Sequence, residues 1–562
     1  MDFRCLLATL LLVTATYASA ADRPNIVLIM ADDMGYTDIG CYGSEIQTPV
    51  LDGLAENGVR FTQFYNTSRC CPTRASLLTG LYSHQAGIGL MTGDRGYDAY
   101  RGDLNKKCVT LAEALKPAGY RTYMSGKWHV TKHIRANDSN HNWPRQRGFD
   151  RFYGTIIGAG SFYDPATLCR DNTFITPEND PDYQPDRFYY SDAISDNAVL
   201  YLADHHREQK DEPFFLYVSY TSAHWPMHAF EEDIAKYKGK YDGGFEPIRE
   251  ARYKRAIELG VLNGKWPMSP SAFDWDKTKN KEWNSRCMEV YAAMVDRTDR
   301  GIGRIVDQIK QQGQLDNTII VYLQDNGGCA EGYGRRNNSD KKQSFKPLGR
   351  DGLQNKIWPP MQTRDGRWVG TGPETMPGAE DSFVAYGGGW ANVSNTPFRG
   401  YKHDGFEGGI STPFIVHWLD GIKETRRGSI VNDPAHLIDV MPTFLSAANV
   451  GYPQSKNGAD IQPMEGVSLL PTLNGSSITR DQPLAFEHHG NLAMRDGKWK
   501  IVSAYRKNQP TTWQLYDMEA DRTELNDLAA EHPEKLNELT AKWQAWAKRV
   551  GVQKWPFRNK RQ

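Results

Sequence analysis

The sequence predicts an α/β fold: a large mixed, mainly parallel sheet flanked by helices, followed by a smaller C-terminal α+β subdomain with a short antiparallel sheet. Three observations support this prediction. Short apolar runs typical of buried strands alternate with helical patterns along most of the chain. Polar side chains capable of chemistry directly follow four of these runs. After about residue 425 the alternation gives way to two strand-like stretches and an amphipathic helix.

The strands are predicted from continuous apolar runs, which are typical of a parallel sheet covered by helices on both faces. These runs are Asn25–Met30, Tyr120–Met124, Phe214–Tyr220, Thr318–Leu323 and Pro413–Trp418. In the C-terminal region the strand-like stretches are Trp499–Ala504 and Trp513–Tyr516.

The helices are predicted from capping residues and from apolar spacing. One begins at Thr48-Pro49, where proline suits the first helical position, and ends at Gly58. Thr110 caps a short helix that is stopped by Pro117 and Gly119. Longer helices are predicted over Ser191–Glu208 and Cys287–Gln312. The last helix has a packing face at spacings of three and four residues: Leu536, Leu539, Trp543, Trp546 and Val550.

Composition and the N-terminal segment indicate an exported globular protein. The 562 residues include 67 Lys and Arg against 68 Asp and Glu, a net charge of −1, which gives no support for a nucleic-acid partner. A mean hydropathy of −0.63 excludes a polytopic membrane protein. Met1–Ala20 has a basic residue, an apolar run too short to span a bilayer, and Ala18-Ser19-Ala20. We therefore expect a signal peptide cleaved near Ala20, and a secreted or periplasmic protein.

The cysteine count is odd once the predicted signal peptide is removed. Seven cysteines remain, namely Cys41, Cys70, Cys71, Cys108, Cys169, Cys287 and Cys329. An oxidising compartment would pair most of them in disulfides. At least one must then be a free thiol or a modified residue.

The polar residues at the strand ends are the strongest functional signal from the fold. They are Asp32 and Asp33, then Lys127 and His129, then His224, and finally Asp325 and Asn326. Ligands bind beyond the carboxyl ends of the strands in open α/β sheets, so these side chains should meet in one crevice. The carboxylates and the amide offer hard oxygen ligands suited to Ca²⁺ or Mg²⁺.

Residues 70–80 read CCPTRASLLTG. This segment resembles the signature of the type I formylglycine-dependent sulfatases, which are arylsulfatase-like members of the alkaline-phosphatase superfamily: C-x-P-S/T-R followed by L-T-G. The alternative is a disulfide, including a strained bridge between Cys70 and Cys71, but it leaves Pro72 and Arg74 unexplained. The resemblance implies that Cys70 is oxidised to Cα-formylglycine by a formylglycine-generating enzyme.

The resemblance extends over residues 24–420. Pro24–Gly43 is similar to the family's opening strand and metal motif, Gly126–His129 to its G-K-W-H motif, and Leu323–Gly327 to its D-N-G motif. The stretch from Phe398 to Gly409, which contains Lys402, resembles the F-R-x-x-K…E-G-G segment. One departure is Ser411, which stands where many members carry arginine. An alkaline-phosphatase-like core is the fold that this resemblance implies.

The resemblance also implies a metal site and a set of catalytic roles. The metal, calcium rather than magnesium, would be held by Asp32, Asp33, Asp325 and Asn326 together with modified Cys70. Arg74 would stabilise the anionic nucleophile, and Lys127 and Lys402 would hold the sulfate oxygens. His224 would protonate the leaving oxygen, and His129 would deprotonate the second hydroxyl of the gem-diol.

We therefore expect a signal peptide over residues 1–20, a catalytic α/β domain over 24–425 and an α+β subdomain over 426–562. The expected function is hydrolysis of an aryl sulfate or of a sulfated glycan, and the glycan suits an exported enzyme with a tryptophan-bearing loop. A phosphonate monoester or phosphodiester hydrolase using formylglycine, and a non-catalytic glycan-binding protein, stay open as alternatives.

Two further regions are candidates for lining the site. The excursion Ala330–Asn395 contains Trp358, Trp368 and Trp390, and His488-His489 are either substrate contacts or surface residues.

Overall fold

The computed structural model describes residues 23–559 of the chain. Within this range eleven strands form one large sheet: β1 Asn25–Ala31, β2 Val59–Tyr65, β3 Arg121–Gly126, β4 Arg151–Thr155, β5 Leu168–Arg170, β6 Thr173–Phe174, β7 Phe214–Ser219, β8 Thr318–Gln324, β9 Ser411–His417, β10 Ser429–Val431 and β11 Ala435–His436. Their order is β10-β2-β9-β8-β1-β7-β3-β4-β5-β6, with β11 beside β2.

The centre of this sheet is parallel and its flanks are mixed. Strands β8, β1, β7, β3 and β4 are neighbours that all run in the same direction. Strand β9 runs antiparallel between β2 and β8, and β5 and β6 close the other edge antiparallel. The sheet is therefore mixed and mainly parallel, as the sequence predicts.

Helices cover both faces of the sheet. In the described residues the α-helices are α1 Pro49–Glu56, α2 Cys70–Thr79, α3 Leu111–Leu115, α4 Tyr190–Gln209, α5 Glu231–Ile234, α6 Phe245–Glu258, α7 Lys281–Gln311, α8 Gly388–Ser394, α9 Glu407–Ile410, α10 Val440–Ala447, α11 Leu470–Leu473 and α12 Pro533–Val550. Val27 and Ile29 of β1 face the core formed with α1, α4 and α7, whereas Ile26 and Leu28 face α2, α3 and α10. This alternation follows from the two-residue period of a strand.

A second, antiparallel sheet lies near the C-terminus. Its strands are β14 Leu484–His488, β15 Asn491–Asp496, β16 Trp499–Ser503 and β17 Gln514–Asp517, and a short pair, β12 Ser455–Lys456 and β13 Ala459–Asp460, precedes it. The predicted apolar stripe of helix α12 packs against this sheet through Leu539, Trp543, Trp546 and Val550. The smaller α+β unit with a short antiparallel sheet is thus observed.

Most predicted elements agree with the structure to within two residues. The five predicted core strands are β1, β3, β7, β8 and β9, with ends shifted by one or two residues. Helix α7 begins at Lys281, earlier than predicted, and its first turn buries Trp283. Strand β2 was not predicted, because Arg60 and Gln63 interrupt its apolar pattern.

Three further expectations concern the ends and divisions of the chain. The predicted signal segment Met1–Ala20 lies outside the described residues. Among residues 23–559, no helix is both long and apolar enough to cross a membrane. Strands β10 and β11 lie beyond residue 425 yet pair with β2 of the large sheet. The domain boundary at 425 stays a prediction.

The expectation that most cysteines pair in disulfides is wrong for this structure. All seven cysteines of the described range are free and buried. Buried cysteine behaves as a small hydrophobic residue, and six of the seven thiols have pKa values that burial raises above the ordinary value, so they stay protonated. Cys70 is the exception.

A buried ion cluster joins the two sheets. Glu407, in the E-G-G segment, pairs with Lys500 at 2.7 Å and with Arg522 at 2.9 Å, and all three side chains are fully buried. Glu524 adds a second carboxylate, 2.8 Å from Lys500. The Arg522 guanidinium also donates to Ser411 Oγ at 2.7 Å. At Ser411, where the sequence departs from the family pattern, a guanidinium is therefore present from a distant part of the chain.

We predict that Arg522→Met lowers the free energy of unfolding by about 3–5 kcal/mol, because it leaves the buried Glu407 carboxylate undercompensated. Chemical denaturation measures the change. Lys498→Met is the matched control: Lys498 pairs with Asp517 at 2.7 Å, but its side chain is 44% exposed. The control should leave stability nearly unchanged. Equal stability of the two variants would contradict the assigned role of the cluster.

Candidate active site

Four adjacent parallel strands deliver polar side chains to one edge of the large sheet. Asp32 and Asp33 follow β1, Asp325 and Asn326 follow β8, Lys127 follows β3, and His224 lies five residues beyond β7. Because β8, β1, β7 and β3 are neighbours with the same direction, their carboxyl ends meet. All six side chains are buried. The side chains at the four strand ends therefore converge on one region, as the strand-end rule predicts.

The four oxygen-bearing residues lie in contact. Asp33 N donates to Asp325 Oδ1 at 3.1 Å, and Asn326 Nδ2 donates to Asp33 Oδ1 at 2.7 Å. Asp32 Oδ1 and Asn326 Oδ1 are buried without a hydrogen-bond partner. Buried oxygen atoms in native proteins nearly always have a partner, so these two fit a hard cation such as Ca²⁺ or Mg²⁺. The donor set therefore suits the metal that the sequence predicts.

Positive side chains surround these carboxylates. Arg74 Nη2 lies 3.1 Å from Asp32 Oδ2 and 3.2 Å from Asp325 Oδ2. Lys127 Nζ pairs with Asp32, and Lys402 Nζ lies 2.8 Å from Asp33. The three cations come from helix α2, from the end of β3 and from the segment before α9. Each is fully or almost fully buried, so the pairs are shielded from solvent.

The pKa values of the three carboxylates are shifted in different directions because their surroundings differ. Burial, with the nearby charge of Asp325, raises the pKa of Asp32 to about 7. Burial also raises the pKa of Asp325 in spite of Arg74 and Lys127. For Asp33 burial acts in the same direction, but Lys402 and His224 outweigh it and lower the pKa. Repulsion between neighbouring carboxylates is among the causes that raise the pKa values of Asp32 and Asp325, and a bound cation would relieve it.

Position 70 lies at the start of helix α2, beside the carboxylates. Cys70 is the first residue of the helix and Arg74 lies one turn later. A hydrogen bond from Cys71, with the nearby Lys127, His129 and Arg69, holds the pKa of Cys70 well below the ordinary thiol value despite burial. An anion at position 70 is therefore stabilised by its surroundings.

The two predicted catalytic histidines are both buried, and they contact different residues of this site. His129 Nε2 lies 3.1 Å from Cys71 Sγ, and burial lowers the pKa of His129 to about 4, so the ring is neutral. His224 Nδ1 lies 2.7 Å from the carbonyl oxygen of Trp225 and can only donate to it. That tautomer leaves Nε2, 3.4 Å from Asp33, available for a second proton. Burial lowers the pKa of His224 although Asp33 opposes it.

The structure adds three residues that sequence reasoning missed. Glu331 pairs with Arg69 at 3.0 Å, His403 at 3.2 Å and Lys402 at 3.4 Å. Burial opposes ionisation, but Lys402, His403 and Arg69 lower the pKa of Glu331. Arg69 and His403 flank Cys70 and Lys402 directly in sequence, which could have drawn attention to them. Glu331 carries no local signal.

The C-terminal sheet reaches the edge of this site. The rings of His488 and His489 lie 5.3 and 5.5 Å from the ring of His403, which is adjacent to Lys402. His488 is buried, and neither of its ring nitrogens has a hydrogen-bond partner. The two histidines are therefore near the site.

One part of the excursion 330–395 lies beside His224 and forms an aromatic patch with Trp225. Trp225 lies against His224 at 4.1 Å between ring centroids, and Tyr333 and Trp358 pack around Trp225 at 4.9 and 4.7 Å. The other two tryptophans of the excursion lie elsewhere. Trp390 is fully buried against Phe245, and Trp368 stacks on Phe345.

Comparison with known proteins identifies the family of this chain. The sulfatase family model matches residues 24–450, and the model of the N-sulphoglucosamine sulphohydrolase C-terminal region matches residues 402–549. An uncharacterised sulfatase of Schizosaccharomyces pombe is 33% identical over 94% of both chains. The arylsulfatase of Klebsiella aerogenes is 32% identical over 82% of this chain and 94% of its own.

The solved structures agree on the fold. A protein crystallised with k-i-k-neocarrahexaose superposes with a TM-score of 0.63 at 23% identity, covering 96% of this chain and 95% of its own. The fold and site define a hydrolase of the alkaline-phosphatase superfamily. The chain belongs to the sulfatase family, and its activity is sulfuric ester hydrolysis.

We predict that Asp325→Asn lowers both the content of bound divalent metal and the turnover rate, because it removes one charged oxygen ligand. Metal analysis of the purified protein measures the first effect. Asp299→Asn is the control, since this buried carboxylate accepts from the amides of Val50 and Leu51 and contacts none of the four oxygen ligands. Active wild-type protein without stoichiometric Ca²⁺ or Mg²⁺ would reject the site.

Proposed function

We propose that this chain is an exported sulfatase that desulfates glycans, using formylglycine formed at Cys70 and a bound calcium ion. One observation carries the proposal, namely the surroundings of Cys70. Of the seven cysteines described, Cys70 alone has a lowered pKa. It lies beside the oxygen cage formed by Asp32, Asp33, Asp325 and Asn326, in which two buried oxygen atoms have no hydrogen-bond partner. A site that stabilises an anion next to a cation-binding cage suits a nucleophile attacking a sulfate ester.

The bound calcium would add positive charge against the sulfate oxygens. The hydrated aldehyde would supply two hydroxyl groups on one carbon, one to accept the sulfuryl group and one to expel it. Arg74 lies one turn along α2 from position 70, where its charge favours the ionised nucleophile. Sulfate can then leave when a base removes the proton of the second hydroxyl group, and no second nucleophile has to attack the sulfur.

Lys127 and Lys402 are proposed to hold the sulfate oxygens. Both ammonium groups are buried and anchored by a carboxylate, Lys127 by Asp32 and Lys402 by Asp33. An ammonium has three N–H donors, so each lysine retains donors for the substrate. Their fixed charges would stabilise the transition state without reorganisation.

The two histidines are proposed to move protons in opposite directions. His224 donates from Nε2 to the leaving oxygen, since its Nδ1 is committed to the Trp225 carbonyl. An anionic sulfate ester nearby favours the protonated ring that this role needs. His129 is neutral, with a pKa of about 4 caused by burial, so it can accept the proton from position 70.

The proposal of a glycan substrate rests on the aromatic patch formed by Trp225, Tyr333 and Trp358. Tyr333 and Trp358, at 41% and 40% exposure, are among the few exposed large hydrophobic residues of the described chain. They surround Trp225 and His224, the residue proposed to protonate the leaving oxygen. Aromatic faces offer large apolar contact area for a sugar ring. The relative solved with neocarrahexaose supports the same class, and the segment Met1–Ala20 supports export.

Peptide mass spectrometry of active protein should find formylglycine at position 70. Cys70→Ser should lose most activity in a host that cannot oxidise serine, because serine has only one oxygen on the reacting carbon. Cys71→Ser is the matched control. A serine hydroxyl can still hydrogen-bond to His129, so oxidation of Cys70 and most of the activity should persist. Full activity with only unmodified Cys70 would reject the proposal.

The open alternative, a phosphonate monoester or phosphodiester hydrolase with the same nucleophile, is tested on the same samples. Turnover of an aryl sulfate should exceed turnover of the matching aryl phosphodiester. The reverse order would favour the alternative.

His224→Ala should slow turnover of a sugar sulfate by about 10²–10⁴-fold. The same variant should slow turnover of a nitrophenyl sulfate only slightly. The reason is that nitrophenolate is a good leaving group without protonation. His129→Ala should lower both rates and let sulfated enzyme accumulate, which intact-mass trapping detects. Equal losses of His224→Ala across a leaving-group series would remove its role as the acid.

Trp358→Ala should lower kcat/KM for a sulfated oligosaccharide by roughly tenfold, the value of one aromatic contact, and leave nitrophenyl sulfate turnover almost unchanged. Trp368→Ala, in the same excursion, is the control and should change neither. A panel of sulfated oligosaccharides of different linkage provides the substrates. Equal effects on both substrate types would argue against contact between Trp358 and the sugar.

A further inference from the structure

We propose that Asp103, His133 and His141 form a second metal site, for a divalent transition ion, with Zn²⁺ the expected occupant. It lies outside the set of residues assigned to sulfate hydrolysis, and its ligands differ in kind from the oxygen cage at Asp32 and Asp33. Two imidazole nitrogens with one carboxylate oxygen are typical of zinc and unlike the all-oxygen sets of calcium.

The distances between the three ligand atoms fit a single ion. Asp103 Oδ2 lies 3.1 Å from His141 Nε2 and 3.5 Å from His133 Nε2, and all three atoms lie within 4.8 Å of one another. Zinc bonds of 2.0–2.2 Å in a tetrahedron place neighbouring ligand atoms about 3.4 Å apart. The two imidazole planes cross at 68°, with ring centroids 5.0 Å apart, so their nitrogens can point to a common centre.

Two features around the cluster indicate a built site rather than a chance ion pair. The Asp103 side chain is only 10% exposed, and its Oδ1 atom is buried with no hydrogen-bond partner. His141 Nδ1 lies 2.9 Å from Ser139 Oγ, which orients the ring so that Nε2 faces Asp103. Hydrogen bonding of the distal nitrogen is the usual support for a metal-binding histidine. His141 is half exposed, which gives an ion a path from solvent.

The other histidine cluster of the described chain lacks this geometry. His403 stacks on His489 with an interplanar angle of 10° and on His488 with 30°. Because these rings are nearly parallel, the lone pairs of their nitrogen atoms do not point to a common centre. His403 Nε2 is also already bonded to Arg69.

The proposed ion would hold two loops together. Asp103 lies in the loop before helix α3, and His133 and His141 lie at either end of the loop that follows the Lys127–His129 motif. The backbone between them, around Arg135, is exposed. The metal would therefore restrain the loop that continues from two residues of the active site, as a structural clamp.

The test is zinc binding by the full-length protein, treated with a zinc-selective chelator and kept in Ca²⁺. Titration against a zinc indicator should give one strong equivalent. His141→Ala, His133→Ala and Asp103→Asn should each weaken it at least about tenfold. His206→Ala, an exposed histidine of helix α4, should bind as the wild type does.

Two further measurements locate the ion. Cobalt(II) bound at this cluster should show visible d–d bands without a thiolate charge-transfer band; a thiolate band would place the metal on Cys70 and Cys71 and overturn the proposal. Zinc should slow tryptic cleavage after Arg135 in the wild type but not in His141→Ala. Unchanged zinc affinity in the three ligand variants, or cleavage that zinc does not affect, would also overturn it. None of these readouts depends on sulfatase activity.

Discussion

The compensation of buried negative charge at one sheet edge is the constraint on which the rest of this site depends. Asp32, Asp33 and Asp325 are brought together because their strands are parallel neighbours. Leaving such a charge buried without a partner costs about 3–5 kcal/mol, so each counter-charge must be held in place. Arg74 and Lys402 meet this need from a helix and from a late segment. The same pairing that stabilises the edge positions the start of helix α2, and so orients residue 70.

Charge compensation recurs where the two sheets meet. Glu407 stands at the base of the segment that carries Lys402, and its partners Lys500 and Arg522 belong to the C-terminal part of the chain. Arg522 also contacts Ser411, at the position where the sequence departs from the family pattern. A guanidinium near Glu407 is therefore provided from a different place in the sequence. This junction ties the antiparallel sheet to the site and brings its histidines to the edge.

Sequence reasoning found the residues whose positions follow from local rules. Asp32 and Asp325 follow strands, and the rule that ligands bind beyond parallel strand ends predicts that they converge. Glu331 escaped notice because nothing in its neighbourhood marks it; its role depends on three partners from separate segments. Likewise, only packing separates Trp358, which lies beside Trp225, from Trp390, which is buried in the core, since both lie in the excursion 330–395.

Local sequence patterns were enough to predict the class of fold, the chemistry of the strand-end residues and the likeness of residues 70–80 to the sulfatase signature. Each of these is encoded in spacing over a few residues, through apolar periodicity, capping and motif identity. Tertiary structure alone decided the order β8-β1-β7-β3 and the free state of the cysteines. It also decided which distant cation neutralises which carboxylate, as where Lys402 meets Asp33 across 369 positions. The physical reason is that such contacts depend on how whole elements pack, and local patterns carry no information about partners that far apart.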